Sequence, residues 1–212
     1  MNSNMFQVKS RGRGVIDITA TPRKVDGHNV VDLNYDLKMT PSGKSRVAEE
    51  IRTKLKITSC VYMVLLKEDY NTVSNQKILD PRYGYIGETG DLMGRMEALR
   101  QSYTNPKYSV YHGLGRYMRR NGITLDDVML RVIPTKTKNQ ALHLEQEFQA
   151  KSKELFGKRF AWEDGASSGR GSAVHKALDL IECIEDSAEL DMLSDFIKKQ
   201  RKVINGKKVR SN

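Results

Sequence analysis

The sequence is poor in residues that build covalent or metal-bound frameworks. Its 212 residues include only two cysteines, Cys60 and Cys183, and four histidines. Two cysteines exclude a disulfide framework and a cysteine-built zinc cage, and they fit a reducing compartment. The histidines show no ligand spacing with one another or with the cysteines, so a histidine metal cluster is not expected.

Long apolar segments are also missing. No run approaches the roughly 18 apolar residues that a transmembrane helix needs, so we expect no membrane contact. The first residues, MNSNM, lack the apolar stretch of a secretory signal. Together with the cysteine content, these features predict a cytoplasmic protein.

Positive charge is abundant instead. Lysine and arginine number 36 against 26 acidic residues, which gives a formal charge of +10 and favours a polyanionic partner. Basic residues cluster near the N-terminus, in the middle of the chain among tyrosines, and after Lys198. Cations mixed with aromatics are typical of phosphate contacts and base stacking, whereas a solvated tail is the alternative for the C-terminal cluster. We predict a DNA-binding surface formed by Arg100, Lys107, Arg116, Arg119, Arg120, Lys198, Lys199, Arg201 and Lys202.

The N-terminal quarter has the pattern of an extension. Residues 1–13 are predicted to be a mobile basic arm, followed by a β-hairpin over about 14–38 with its turn at Asp26-Gly27. A helix is expected over 42–55, with Ser42 as its cap. The motif PSGKS in this region lacks the first glycine and the preceding apolar strand of a P-loop, so it is not expected to bind phosphate.

The rest of the chain alternates strand and helix patterns. From residue 59 the order is strand, strand, helix, helix, strand, helix, with the last helix over 138–156. Two more helices are expected at about 173–184 and 187–203. The predicted fold is therefore α/β or α+β, with a small three-stranded sheet flanked by helices, an N-terminal hairpin and helix extension, and C-terminal helices. The predicted domains are 1–57, 58–160 and 161–212.

Two charged residues lie beside apolar helix faces. Glu145 is next to Leu144 and four residues after Ala141, where a carboxylate is costly unless it is paired or holds a cation. A position at the edge of the stripe, reaching solvent, is the alternative. Arg95 flanks another apolar face, from which a guanidinium can bind a phosphate or a buried carboxylate.

These residues join two tyrosine strands in a recognisable order. Cys60-Val61-Tyr62 lies in the first strand, Tyr85-Ile86-Gly87 in the second, Arg95 follows Gly87 by eight residues, and Glu145 lies in a later helix. This conjunction resembles the GIY-YIG nuclease superfamily over about residues 58–160. The resemblance implies hydrolysis of double-stranded DNA with one divalent metal, Mg²⁺ or Mn²⁺, in a bacterial or phage-infected cell.

The resemblance also implies roles for single residues. Arg95 would bind the phosphate, Glu145 would hold the metal, and Tyr85 would orient the water or phosphate. Tyr62, expected to be half-buried with its hydroxyl at the rim, would act as the base, with nearby cations lowering its pKa. Apart from the resemblance, Gly87 is expected to allow a close approach to the backbone or to supply a turn. His112, and after it Lys107, is a further candidate on its position in the sequence alone.

Several alternatives stay open. A homing or phage-type enzyme and a restriction endonuclease fit the sequence equally, and a homodimer fits either. A non-catalytic DNA- or RNA-binding protein that reuses the fold is the second class of function.

Overall fold

The structure, a computed structural model, describes residues 3–10, 14–73, 77–105 and 113–162. The strands are β1 (Asn4–Ser10), β2 (Gly14–Val25), β3 (His28–Asn34), β4 (Ser59–Leu66), β5 (Tyr85–Thr89) and β6 (Val128–Thr135). The helices are α1 (Arg46–Leu55), α2 (Leu92–Thr104), α3 (Gly113–Arg120) and α4 (Lys138–Phe156). The mixed α/β class predicted from the sequence is confirmed. The helices predicted after residue 163 lie outside the described residues.

The sheet has six antiparallel strands in the order β1-β2-β3-β6-β4-β5, so the prediction of three strands was wrong. The three expected strands are present as β4, β5 and β6. The N-terminal hairpin extends them because β3 pairs with the free side of β6, with Leu33 opposite Leu130. The hairpin and the later strands therefore form one continuous sheet, while the predicted boundaries at 57 and 160 stay predictions.

The first strand replaces part of the predicted mobile arm. Residues 4–10 pair with β2 in full register, from Asn4 opposite Ala20 to Ser10 opposite Gly14. Val8 is buried whereas Lys9 is exposed, which is the alternation of a strand with one covered face. The predicted hairpin is confirmed, and its two turn residues, Asp26 and Gly27, both have positive φ, as a two-residue hairpin turn requires.

The two faces of β4 bury two separate clusters. Cys60, Tyr62 and Val64 face a core that also contains side chains from α1, α2 and α3. Their neighbours Val61, Met63 and Leu65 face a second core, which contains Ala141 and Phe148 of α4. Since side chains alternate along a strand, a continuous apolar run is what a strand covered on both faces needs.

Helix starts follow local capping chemistry. The predicted cap at Ser42 was wrong, because α1 begins three residues later and Ser45 Oγ accepts the amide hydrogen of Ala48 at 3.1 Å. Asp91 caps α2 and Thr137 caps α4 in the same way. The cap at Asp91 fixes where α2 starts, and therefore the position of Arg95 on its first turn.

A buried ion pair joins β3 to β6. Arg131 and Asp32 are cross-strand partners with exposed fractions of 1% and 2%. Arg131 donates from Nε to Asp32 Oδ1 at 2.7 Å and from Nη2 to Oδ2 at 3.1 Å. It also donates from Nη1 to the hydroxyl of Tyr83 at 2.8 Å, and Tyr70 donates to Asp32 Oδ2 at 3.0 Å. Both charges are thus paired and hydrogen-bonded, which a buried ion pair needs.

After α4 the chain returns to the segment just before β5. The amide of Ala161 donates to the carbonyl of Tyr83 at 2.9 Å, and the amide of Trp162 donates to the carbonyl of Gly84 at 2.8 Å. The indole of Trp162 stacks on Tyr117 of α3, with ring centroids 5.9 Å apart. None of the helices in the described part of the chain has the length and apolar composition that a bilayer crossing demands.

We predict that Arg131→Ala lowers the free energy of unfolding by about 3 kcal/mol, because Asp32 loses its fully buried partner and is left with Arg23, a partly exposed side chain 3.1 Å from Oδ2. Urea unfolding at neutral pH measures the loss. The matched control is Arg46→Ala, an arginine that is exposed on α1 and whose removal should leave the midpoint unchanged. Equal losses in the two variants would show that the pair does not stabilise the sheet.

Candidate active site

The two tyrosine motifs lie side by side at one end of the sheet. β5 is the last strand in the sheet order, and it places Gly87 directly opposite Tyr62 of β4. The rings of Tyr62 and Tyr85 are stacked, with centroids 5.8 Å apart and an angle of 28° between their planes. Both phenols therefore lie over the same short segment of β5.

Gly87 is the residue that lets the phenols come so close to the strand. A Cβ atom at this position would lie 2.5 Å from Cε1 of Tyr85 and 2.8 Å from the hydroxyl oxygen of Tyr62. Both contacts are shorter than van der Waals packing tolerates. The expected close approach at Gly87 is therefore present, and what approaches the backbone is the pair of tyrosine rings.

Arg95 projects from the first turn of α2 toward these phenols. Its Nε donates to the hydroxyl oxygen of Tyr62 at 2.9 Å. Burial lowers the pKa of Arg95, but the oxygens of Tyr62 and Tyr85 outweigh this effect, so the pKa is raised above its ordinary value. The guanidinium thus keeps its charge in a partly buried position.

Tyr62 differs from what the sequence led us to expect. The side chain is fully buried, at 0% exposure, and its hydroxyl is not at a rim. Burial raises the pKa of Tyr62 well above 10, Tyr85 adds to the rise, and Arg95 opposes it without reversing it. The nearby cation, Arg95, lowers this pKa as expected, but the loss of hydration is the larger effect and the net shift is upward.

Glu145 reaches the site from α4, on the other side of β5. The amide side chain of Gln149 links the two elements, because its Nε2 donates to the carbonyl of Ile86 at 3.1 Å and to Oε1 of Glu145 at 2.9 Å. Burial raises the pKa of Glu145 to about 7, and the charge of Glu88 adds to the rise, while Arg95 and Arg159 lower it. The carboxyl group therefore lies within electrostatic reach of the arginine on the opposite side.

The donor atoms present suit a hard divalent cation. Glu88 directly follows Gly87, and its buried Oε2 has no hydrogen-bond partner among the residues that the structure describes. Within the same residues no group of three or more histidine, cysteine, aspartate or glutamate side chains could hold a metal. Two carboxylates with water completing the shell are what Mg²⁺ commonly uses, so the fit is to Mg²⁺ or Mn²⁺ and not to a histidine–cysteine metal.

The predicted DNA surface is only partly described. Of its four arginines in the described segments, only Arg120 is exposed, while Arg116 is 8% exposed and Arg100 is half-buried. Arg119 donates to the carbonyl oxygens of Ser102 and Tyr103, near the end of α2. The packing of α3 on α2 therefore occupies Arg119, since the last carbonyls of a helix need donors. His112, Lys107, Lys198, Lys199, Arg201 and Lys202 lie outside the described residues.

Two residues at the site were missed by the sequence analysis, Glu88 and Gln149. Both had a signal: Glu88 follows the second tyrosine motif directly, and Gln149 is one helical turn after Glu145, on the same face. No family model, curated protein or solved structure matches the chain. The resemblance to the GIY-YIG superfamily therefore stays a prediction.

We predict that Gly87→Ala lowers the free energy of unfolding by about 1–3 kcal/mol, because the new Cβ would push the two phenols away from the strand. Chemical denaturation measures the loss. The control is Gly90→Ala, three residues on, where the nearest atom is the flexible Cδ of Lys138 at 3.3 Å. A Gly87 variant as stable as the Gly90 variant would contradict the close packing of the rings.

A second prediction concerns pH. The raised pKa of Glu145, about 7 against an ordinary 4.5, means that the folded protein favours the protonated carboxyl. The stabilisation is complete below pH 4.5 and is lost as the pH rises through 7, so Glu145→Gln should be the more stable protein in alkaline solution with EDTA. Because the carboxyl is partly in water, the gain should be only about 1–2 kcal/mol.

Thermal unfolding at acidic and alkaline pH measures this difference. The two proteins should unfold at the same temperature near pH 4 and diverge above neutrality. Glu147→Gln, exposed on the same helix, is the matched control and should follow the wild type throughout. Parallel curves for Glu145→Gln and the wild type would show that the carboxyl is hydrated like an ordinary glutamate.

Proposed function

We propose that this protein is a divalent-metal-dependent endonuclease that hydrolyses phosphodiester bonds of double-stranded DNA. One observation carries the proposal: Arg95 donates to Tyr62, whose ring stacks on Tyr85 over Gly87, and Glu145 is joined to the same strand from its other side through Gln149. An arginine in contact with two phenols, and a carboxylate on the other side of the same edge strand, support the chemistry that the family resemblance implies.

Arg95 would bind the phosphate that is attacked. Its Nε is committed to Tyr62, so the orientation of the guanidinium is fixed before any substrate arrives. A pre-oriented cation that need not reorganise stabilises charge on phosphate oxygens more effectively than a mobile one. Arginine is suited to this because its rigid fork can donate two hydrogen bonds to one phosphate.

The two phenols would divide two tasks. Tyr62 is fully buried with a raised pKa, which favours a role in holding Arg95. Tyr85 is half-buried and reaches solvent, which favours it as the group that holds or orients the attacking water. In this proposal Tyr62 is a positioning residue, although the family resemblance alone would make it the base.

Glu145 would hold the metal on the α4 side of the strand. Its hydrogen bond from Gln149 fixes one carboxylate oxygen and ties it to the backbone of β5. When bound there, a divalent cation supplies stabilisation of the negative charge on the phosphate and on the leaving oxygen. Glu145 and Arg95 would then flank one phosphate from opposite sides of the strand.

A non-catalytic nucleic-acid-binding protein is the second candidate. The observation in its favour is Tyr62, since a buried phenol hydrogen-bonded to an arginine is also what a purely structural pair would show. Both functions require a basic surface, so binding to DNA does not separate them. Cleavage does.

The test is incubation of the full chain with assorted DNAs in Mg²⁺ or EDTA, followed by mapping of the ends. We predict cleavage with Mg²⁺ alone, lowered at least about 100-fold by Glu145→Gln and by Arg95→Lys, with DNA binding retained. Glu147→Gln on the exposed side of α4 should cleave like the wild type. Discrete fragments would favour a restriction enzyme, and a rare cut or nick a homing-type enzyme.

Unchanged cleavage by Glu145→Gln would refute the site assignment. DNA binding by the wild type without cleavage in Mg²⁺ or Mn²⁺ would favour the non-catalytic protein. Cleavage of RNA with none of DNA would overturn the substrate class.

A further inference from the structure

Glu88 is a half-buried carboxylate with one fully buried oxygen. It lies between Gly87 and Thr89 on β5, opposite Val61 of β4. Successive side chains alternate across a strand, so Glu88 shares its face with Ile86, which packs in the same cluster as Ala141 and Phe148 of α4. Its Oε2 is buried, and no described residue donates a hydrogen bond to it.

The course of α4 places Glu145 beside Glu88. Going up β5, Ile86 contacts Gln149 through a hydrogen bond, and Gly90 lies against the side chain of Lys138. The helix therefore runs antiparallel to the strand. Glu88 is two residues from Ile86, about 6.6 Å along a strand, and Glu145 is one helical turn from Gln149, about 6 Å along the helix. The two carboxylates thus lie at the same position along the axis that β5 and α4 share.

Two carboxylates at one level repel each other. A buried acceptor without a donor costs free energy, and a second negative charge nearby adds to that cost. Neutral hydrogen bonds do not remove the repulsion, whereas a cation bound between the two groups removes both penalties. Glu145 keeps its second oxygen for this purpose, because the hydrogen bond from Gln149 goes to Oε1.

We propose that Glu88 is a second carboxylate ligand and that Glu88 and Glu145 together bind one divalent cation between β5 and α4. The inference rests on the proposed function for the kind of metal, and it adds a ligand that the sequence resemblance does not supply. Two carboxylates plus water match the coordination that Mg²⁺ takes in proteins. The cation would also join the helix to the edge strand, so its binding should stabilise the fold.

The experiment titrates the full-length protein with Mn²⁺ alone, without nucleic acid, and follows free Mn²⁺ by electron paramagnetic resonance. Four proteins are compared: the wild type, Glu88→Gln, Glu145→Gln and the control Glu147→Gln. We expect the wild type and the control to bind Mn²⁺ equally. Each of the other two should bind at least about tenfold more weakly, since affinity follows the number of charged ligands.

Thermal unfolding with and without Mn²⁺ controls for folding. Without metal, Glu88→Gln should be at least as stable as the wild type, because it removes one of two repelling charges. With saturating Mn²⁺ the wild type should gain stability and Glu88→Gln should gain much less. This readout does not depend on cleavage.

Wild-type Mn²⁺ affinity in Glu88→Gln would overturn the inference, and so would a wild-type protein that binds no Mn²⁺ up to millimolar concentrations. The proposed function fails separately. If Mn²⁺ binding depends on both carboxylates but no nucleic acid is cleaved, the metal site stands and the nuclease does not. If Glu88→Gln binds Mn²⁺ and cleaves DNA like the wild type, the nuclease stands and the second ligand does not.

Discussion

The buried pair of Arg131 and Asp32 is the interaction on which the rest of the architecture depends. Arg131 belongs to β6, the strand at the junction between the hairpin and the part of the sheet that carries the tyrosines. Its charge is fully buried, and the carboxylate that compensates it comes from β3. The later strands thus contain a buried cation whose carboxylate partner belongs to the N-terminal hairpin. Burial also raises the pKa of Tyr83 to about 12, which keeps this third member a neutral hydrogen-bond partner.

The candidate site follows from β5 being an edge strand. A central strand would be flanked on both sides by other strands, whereas an edge strand lets side chains from the two faces approach each other around it. Tyr62 and Arg95 meet on the face that α2 covers, Tyr85 packs against the clusters of both faces, and Glu145 belongs to α4 on the other face. The missing side chain of Gly87 keeps the phenols against the backbone. Arg95 and Glu145 reach the site only if α2 and α4 begin at the right residues. The caps Asp91 and Thr137 fix those starting points.

Local features were predictable from the sequence, and long-range pairings were not. The helices α2 and α4, the hairpin turn at Asp26-Gly27 and the strands of the two tyrosine motifs all follow from apolar periodicity and turn chemistry over a few residues. The pairing of β3 with β6 joins residues about a hundred positions apart. Nothing in the local sequence of either strand indicates that Asp32 and Arg131 are partners. The burial of Tyr62 escaped prediction for a similar reason, because α2 covers it. The same holds for Glu88, which becomes part of the candidate site only because α4 packs beside β5.

The return of the chain to β5 after α4 has a consequence for self-association. An unpaired strand edge is a template for a strand from another molecule, and proteins commonly protect such edges. Here Ala161 and Trp162 already bond to the carbonyls of Tyr83 and Gly84, and Gln149 occupies that of Ile86. A strand from a second copy could pair with the segment just before β5 only by displacing the protein's own backbone and the Trp162–Tyr117 stack. Pairing of two copies along this segment is therefore disfavoured.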